Sequence, residues 1–247
     1  MFFPFLFWDP TYIIVIPAIL LALYAQVRVT TAYNRYSQVP IHNGLTGAQV
    51  AEEILRRNGL LGALVTPDLQ RKGLSGVQVE RITGMLSDHY DPRTRTLRLS
   101  AGVYDGASVA STGVAAHETG HALQHAQEYA PLALRSAIVP VSQFGSWLAW
   151  PLVIIGLWFN SGVLLQIGIL FFTAAVAFTL ITLPVELNAS GRAMRALETD
   201  GLVTADELAG VRSVLTAAAL TYVAAAAVAL LQLVRVLVLA NIMRREE

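Results

Sequence analysis

The feature that most constrains this chain is a stretch of fifty residues, between Arg135 and Glu186, without a single Asp, Glu, Lys, Arg or His. A helix needs about 20 apolar residues to cross the hydrocarbon core of a bilayer, so this stretch is long enough for two crossings joined by a tight turn. The turn is expected at 160–162, where Asn, Ser and Gly follow one another. We therefore predict a hairpin of two membrane helices over 136–185.

Two further uncharged stretches, 12–27 and 213–234, each suit one more membrane helix. We interpret the first as a retained anchor rather than a cleaved signal peptide, because no basic residue precedes it and no small-x-small cleavage site follows it. The second ends at Arg235, whose long side chain can extend to the membrane interface. Only 14% of the residues are charged, against about a quarter in soluble domains. The chain is thus predicted to be a mainly α integral membrane protein with four transmembrane helices.

The polar region between the first two membrane segments carries signals for both helices and strands. Thr46 is a helix N-cap signal, and the Asn-Gly pair at 58–59 is a stop signal. The Asp-Pro pair at 91–92 predicts a turn, and the residues after it alternate between polar and apolar as in a strand. We predict a small α+β domain with helices at 48–58 and 107–127 and strands within 74–86 and at 94–100.

A metal-binding pattern lies in the second of these helices, where residues 117–121 are His-Glu-Thr-Gly-His and match H-E-x-x-H. Positions four apart lie on one face of a helix, so both imidazoles can bind a single ion. A catalytic zinc ion takes three protein ligands and leaves its fourth position for water. His117 and His121 are predicted zinc ligands, and Glu118 is the predicted general base that activates the water. The simpler alternative is a helix with two incidental histidines.

Glu186 is the best candidate for the third ligand, because it is the first charged residue after the predicted hairpin. Cysteine is absent, so His, Asp and Glu are the possible ligands. The hairpin returns the chain to the side from which it left, which brings Glu186 back beside the histidines. A carboxylate at a membrane boundary is costly without a partner, and a divalent cation is a suitable one. An interfacial carboxylate paired with Arg192 is the alternative.

Other polar residues near the pattern have two possible roles each. A loop with His89 and Tyr90 could donate hydrogen bonds to the oxyanion of a tetrahedral intermediate, or it could be an ordinary turn. His125, one turn after His121, could support the ligands or belong to the helix surface. The strand at 94–100 could be an edge strand that aligns an extended substrate, or an ordinary strand within a sheet.

The arginine distribution predicts which side of the membrane the domain occupies. Arginines next to the first three membrane segments fall on one side, which the positive-inside rule makes the cytoplasmic side. Arginines flank the last segment at both ends, so its orientation stays open. A net charge of zero gives no sign of nucleic-acid binding. The expected partners are the lipid bilayer and a peptide or membrane-protein substrate, and the oligomeric state is not readable from the sequence.

Five segments together point to a family: Asp88-His89-Tyr90-Asp91-Pro92, Leu97-Arg98-Leu99-Ser100, residues 115–124, Leu183-Pro184-Val185-Glu186 and residues 218–224. With these segments the chain resembles the bacterial YugP-like neutral zinc metallopeptidases, from about Gly47 onward. The resemblance implies a membrane peptidase with zinc (Zn²⁺) as its cofactor. It does not imply a particular substrate.

A more distant resemblance is to the membrane-embedded gluzincins, which include the CAAX prenyl endopeptidases and the bacterial heat-shock membrane metallopeptidases. Those families take their third zinc ligand from a Glu that opens a helix after a membrane hairpin, and Glu186 corresponds to it. Their pattern continues with Ala-Asp, where this chain has Ala189-Ser190. The carboxylate that would orient a ligand is thus absent at that point, and Asn188 is the nearby candidate to replace it.

The function predicted from the sequence is a multi-pass, zinc-dependent endopeptidase of the cell membrane. A non-proteolytic zinc-binding regulatory or assembly factor is the main alternative, although a purely structural zinc site needs no base such as Glu118. A transporter-like protein is a further alternative, although the predicted membrane helices lack ionisable residues in their cores. The predicted divisions are an anchor helix at 1–28, a cytoplasmic-side zincin-like region at 29–135, a transmembrane hairpin at 136–185, a helix with the third ligand at 186–212 and a C-terminal transmembrane helix at 213–247.

Overall fold

The computed structural model describes residues 10–62, 76–84 and 87–245, and the chain divides into two compact units. The apolar unit comprises Met1–Val27, Ala133–Pro184 and Leu220–Glu247, and the motif unit comprises Arg28–Leu132 and Val185–Ala219. The described residues are mostly helical, with one small sheet. The helices are α1 (Ile16–Tyr36), α2 (Gly47–Arg57), α3 (Ala101–Tyr104), α4 (Val109–Ala126), α5 (Ala130–Trp158), α6 (Gly162–Thr199) and α7 (Ala205–Arg245), and the strands are β1 (Gln78–Ile82), β2 (His89–Asp91) and β3 (Thr96–Ser100).

Hydroxyl side chains begin the two helices that were predicted in the polar region. Thr46 accepts a hydrogen bond from the backbone N–H of Gln49, whose side chain accepts one from the N–H of Thr46. Ser108 and Ser111 form the same reciprocal pair at the start of α4. These capping boxes satisfy N–H groups that the first helical turn leaves without partners. Both helix predictions are confirmed, with ends that differ by one or two residues.

The sheet has the order β1-β3-β2, so β3 is its central strand. It pairs in parallel with β1 and in antiparallel with β2. The prediction of a strand at 94–100 is confirmed. Of the two roles left open for it, the strand within an ordinary sheet is confirmed and the edge strand is wrong, because β3 is hydrogen-bonded on both sides and its Leu97 and Leu99 are fully buried. The strand predicted within 74–86 is β1; residues 74, 75, 85 and 86 lie outside the described residues.

The core of the motif unit surrounds α4 on two faces. Val109, Ala116 and Leu123, seven residues apart, pack with apolar residues of α2, α6 and α7. Ala115 and Ala122, also seven apart, pack with α2 and with the leucines of β3. Residues seven apart return to one face of a helix after two turns. With two faces buried in apolar clusters, α4 is held in a fixed rotation, and this rotation sets the direction of its histidines.

Gly120 marks the closest approach between α4 and α6. A β-carbon added at Gly120 would lie 2.5 Å from the carbonyl oxygen of Ala189 and 3.2 Å from its α-carbon. Only glycine lets a backbone come this near without a side chain between the helices. The Gly of the His-Glu-Thr-Gly-His segment therefore has a packing role.

The apolar unit consists of long helices with large hydrophobic side chains on their surface. Three helices are long and apolar enough to cross a membrane, namely α1, α6 and the part Ala205–Ile242 of α7. The two halves of α5, Ala130–Pro140 and Ser142–Trp158, differ in direction by 47° and form a fourth candidate if they are one span. Exposed Trp147, Trp158 and Phe159 suit a surface that faces lipid. These features are those of a membrane protein.

The last helix differs from its prediction in length and in the position of its arginine. α7 begins at Ala205 and continues to Arg245, whereas the sequence predicted a span over 213–234. Arg235 was expected to extend to the membrane interface, yet only 2% of it is exposed. Its guanidinium lies 3.6 Å from the ring centroid of Tyr12 and donates to the hydroxyl of Thr11. An aromatic face and a hydroxyl stabilise a buried cation, which is why extension to the interface is not required.

Substitution of Gly120 by alanine is expected to destabilise the motif unit. Relieving the overlap with the Ala189 backbone requires α4 and α6 to separate, and overpacking of this kind costs about 1–3 kcal/mol. Thermal unfolding of the detergent-purified full chain measures the loss. The matched control is Gly191→Ala on α6, because nothing lies within 4 Å of its added carbon and alanine favours a helix. Equal unfolding temperatures for the two variants would contradict a packing role for Gly120.

Candidate metal centre

Three side chains of the motif unit converge on one point. The carboxylate oxygen Oε2 of Glu186 lies 3.2 Å from Nε2 of His117 and 3.6 Å from Nε2 of His121. One ligand atom from each of these residues lies within 4.8 Å of the other two. The two imidazole rings meet edge to face, with their centroids 4.9 Å apart. The structure thus brings together the three residues predicted as metal ligands.

Helical spacing and the close helix crossing explain this convergence. His117 and His121 are four residues apart on α4 and flank Gly120, while Glu186 and Ser190 are four residues apart on α6 and flank Ala189. Residues four apart share one face of a helix. The contact between Gly120 and Ala189 therefore places the two histidines of α4 opposite Glu186 and Ser190 of α6.

Glu186 lies inside α6 and does not begin a separate helix. The sequence predicted a new helix at 186–212, whereas α6 continues through Pro184 and Glu186 to Thr199. The first charge after an apolar stretch marks where the side chains become polar, and a helical backbone can continue past that point. The position of Glu186 is consequently set by a rigid helix.

Two of the three separations between the ligand atoms match those around a zinc ion, and the third is at most 4.8 Å. Atoms bound about 2.1 Å from a tetrahedral zinc lie about 3.4 Å from one another, and the separations of 3.2 and 3.6 Å lie on either side of that value. Two imidazole nitrogens with one carboxylate oxygen are a known ligand set of catalytic zinc, which leaves one position open. The donor set present here therefore fits the metal.

Burial makes an ionised Glu186 costly and raises the pKa of Glu118. Only 2% of Glu186 is exposed, and an ionised carboxylate in such surroundings requires compensating partners. Burial also raises the pKa of Glu118, an effect that the nearby His117 and His121 oppose and that the Glu186 carboxylate reinforces. A carboxylate with a raised pKa is a stronger base, which suits the role predicted for Glu118.

Each ligand histidine has a partner for its second nitrogen. Nδ1 of His117 lies 3.0 Å from the hydroxyl of Ser190, and Nδ1 of His121 lies 3.0 Å from Oε1 of Gln124. Sequence reasoning missed both partners, although each lies three or four residues from a ligand on the same helix. Asn188, the residue proposed from the sequence for this task, contacts Gln124 at 3.0 Å.

Arg192, which the sequence offered as an alternative partner of Glu186, donates a hydrogen bond to Oδ1 of Asn188 at 2.6 Å and another to Gln127. Its guanidinium also lies over the ring of Tyr129. Arg192 therefore belongs to the polar surroundings of Asn188.

The structure places the remaining sequence candidates on and beside β2. His89 is exposed, and its Nδ1 lies 2.8 Å from the carbonyl oxygen of Ser87. The hydroxyl of Tyr90 lies 2.8 Å from Nδ1 of His125. Burial raises the pKa of Tyr90 to about 12 and lowers the pKa of His125. At neutral pH an un-ionised Tyr90 and a neutral His125 therefore share this hydrogen bond.

Comparison with known proteins gives two matches. A family described as "Putative neutral zinc metallopeptidase" matches residues 11–68 and 63–241. A protein of Bacillus subtilis (strain 168), described as "Putative membrane protease YugP", is 46% identical over 220 residues, which cover 89% of this chain and 92% of that protein. No solved structure matches the chain. The chain therefore belongs to this neutral zinc metallopeptidase family.

Proposed function

We propose that the chain is a membrane-bound endopeptidase that requires zinc, with His117, His121 and Glu186 as metal ligands and Glu118 as the general base. The observation that carries this proposal is the convergence of three ligand atoms, with Glu186 at separations from both histidines that suit one tetrahedral ion. Membership of a zinc metallopeptidase family supports the choice of metal and of reaction. The distant likeness to gluzincins agrees with a carboxylate as third ligand.

In the proposed hydrolysis the bound metal and Glu118 have separate roles. Zinc, when bound, supplies Lewis acidity that polarises the scissile carbonyl and lowers the pKa of the attacking water. Glu118 takes a proton from that water as its oxygen bonds to the carbonyl carbon. Glu118 then delivers the proton to the amide nitrogen as the carbon–nitrogen bond breaks. The same carboxyl group thus accepts the proton and releases it.

The substrate class that we propose is a peptide or a membrane protein in extended conformation. Among the described residues β2 pairs with β3 alone, so its other edge has no strand partner. A strand edge without a strand partner can bind an extended chain through main-chain hydrogen bonds. Tyr90 connects β2 to α4 through His125, which supports β2, and not β3, as the strand beside which a substrate is aligned. His89 and Tyr90 stay proposed as contributors to oxyanion binding.

The proposed topology is a multi-pass protein of the cell membrane with four crossings, in which both halves of α5 form one span. Three apolar helices and the bent pair in α5 support it. We propose a cytoplasmic, zincin-like catalytic region at 29–135, from the arginines that flank the membrane segments. We further propose that the chain as a whole divides at residues 28, 135, 185 and 212 into its membrane segments and its polar regions.

Substitution of Glu118 by glutamine is expected to abolish hydrolysis and to leave zinc binding intact. Glutamine keeps the size of the side chain and cannot accept the proton, and loss of a general base lowers rates by about 10²–10⁴-fold. Cleavage of casein and of a quenched peptide library by detergent-purified protein measures the first effect, and zinc content measures the second. Full activity in this variant would overturn the mechanism. Zinc-loaded wild type without any cleavage would favour the non-proteolytic alternative.

Substitution of either Glu186 or His121 by alanine is expected to reduce zinc content from about one ion per chain to a small fraction, because two protein ligands hold zinc far less tightly than three. Metal analysis after dialysis against a weak chelator measures the loss. Glu198→Ala is the matched control, since Glu198 is an exposed carboxylate on the same helix as Glu186. Full zinc content in Glu186→Ala would remove Glu186 from the ligand set.

A further inference from the structure

The second nitrogen of His121 faces a side-chain amide that is completely buried. Nδ1 of His121 lies 3.0 Å from Oε1 of Gln124, and none of Gln124 is exposed. A histidine binds a metal through a nitrogen that carries no proton, so the other nitrogen of a neutral ring must carry it. Which nitrogen of His121 is protonated therefore decides whether Nε2 can be a ligand.

The surroundings of Gln124 fix the direction of its amide. Its Nε2 lies 2.8 Å from the backbone carbonyl oxygen of Val185 and 3.0 Å from Oδ1 of Asn188. A backbone carbonyl can only accept a hydrogen bond, so the NH₂ group must point toward it. Oε1 of Gln124 consequently points toward His121 and requires a donor there.

Arg192 fixes the direction of the next amide in the same way. Its Nε lies 2.6 Å from Oδ1 of Asn188, and a guanidinium is a donor without acceptor capacity. Asn188 must therefore direct its oxygen toward Arg192, and the same oxygen accepts the hydrogen bond from Gln124. Four side chains on two helices thus have only one consistent assignment of donors and acceptors.

We infer that Gln124 is a positioning residue that keeps the proton of His121 on Nδ1 and so leaves Nε2 available to the metal, with Asn188 and Arg192 holding the amide of Gln124 in place. This inference rests on the proposed zinc site. It also separates the two histidines. His117 contacts the hydroxyl of Ser190, which can donate or accept, so this contact sets no preference between the nitrogens of His117.

Two substitutions of Gln124 separate this role from a purely structural one. Gln124→Leu removes the acceptor for His121 and the hydrogen bond to α6, and we expect a zinc dissociation constant raised by about 10–100-fold. Gln124→Glu also removes the donor to Val185 but keeps an acceptor for Nδ1–H, and we expect it to stay within a few-fold of wild type. Competition with a chromophoric chelator, on the full chain in detergent, measures both constants.

Nuclear magnetic resonance of zinc-loaded protein with ¹⁵N-labelled histidine supplies a readout independent of affinity. In wild type the Nδ1–H proton of His121 should be protected from exchange with water, and Gln124→Leu should remove this signal while Gln124→Glu keeps it.

Arg192→Ala should weaken zinc binding only a few-fold, because the Val185 carbonyl still orients Gln124. Arg195→Ala is the matched control, since the Nε of Arg195 donates a hydrogen bond to the backbone carbonyl of Gly191 on its own helix.

The outcomes distinguish this inference from the proposed function. A wild-type protein that binds no zinc overturns the proposed metal site and the role of Gln124 with it. Zinc binding by wild type, with an unchanged constant in Gln124→Leu, overturns the role of Gln124 alone. Equal weakening in Gln124→Leu and Gln124→Glu also overturns it, because the contribution would then be the tie between α4 and α6.

Discussion

The arrangement of the candidate metal centre depends on the contact between Gly120 and the backbone of Ala189. Each proposed ligand lies within four residues of one of these two positions, so the separation of the two backbones sets the separation of the ligand atoms. A larger residue at position 120 would move Glu186 away from both histidines at once. The rotation of α4 is fixed independently, by apolar clusters on two of its faces. Glu186 is therefore buried by helix packing.

Burial of this kind makes a divalent cation the natural complement of the site. Glu118 and Glu186 place two carboxylates near two imidazoles, and of these groups Glu186 and His121 are buried. Like charges at short distance in low dielectric repel strongly, and each ionised group also loses its hydration. A doubly charged ion offsets both the repulsion between the two carboxylates and their loss of hydration. A single arginine neutralises only one of the two negative charges. Arg192 instead stabilises the neutral amides around Gln124.

The features that the sequence could predict are those with local causes. Helix starts follow from Thr46 and Ser108, and the shared face of His117 and His121 follows from helical spacing. Features decided by distant neighbours were predicted poorly. The alternation at 94–100 indicates a strand but carries no information on how many partners it has, and β3 proved to be central. Likewise, Arg235 is buried against Tyr12 and Thr11, which are far away in the sequence.

The partner of His121 shows why part of the site lay beyond sequence reasoning. Positions 189–190 hold no carboxylate. Yet Nδ1–H of His121 requires only a hydrogen-bond acceptor whose orientation is fixed. Gln124 meets that requirement because Val185 and Asn188 hold its amide. An amide differs from a carboxylate in carrying no charge. In the proposed site Glu186 is the single anionic ligand, so a bound divalent ion would keep a net positive charge, and Gln124 would add no negative charge behind His121 to reduce its attraction for a carbonyl oxygen. A neutral acceptor in this position would thus orient the proposed ligand without weakening the electrophile that the proposed peptide hydrolysis requires.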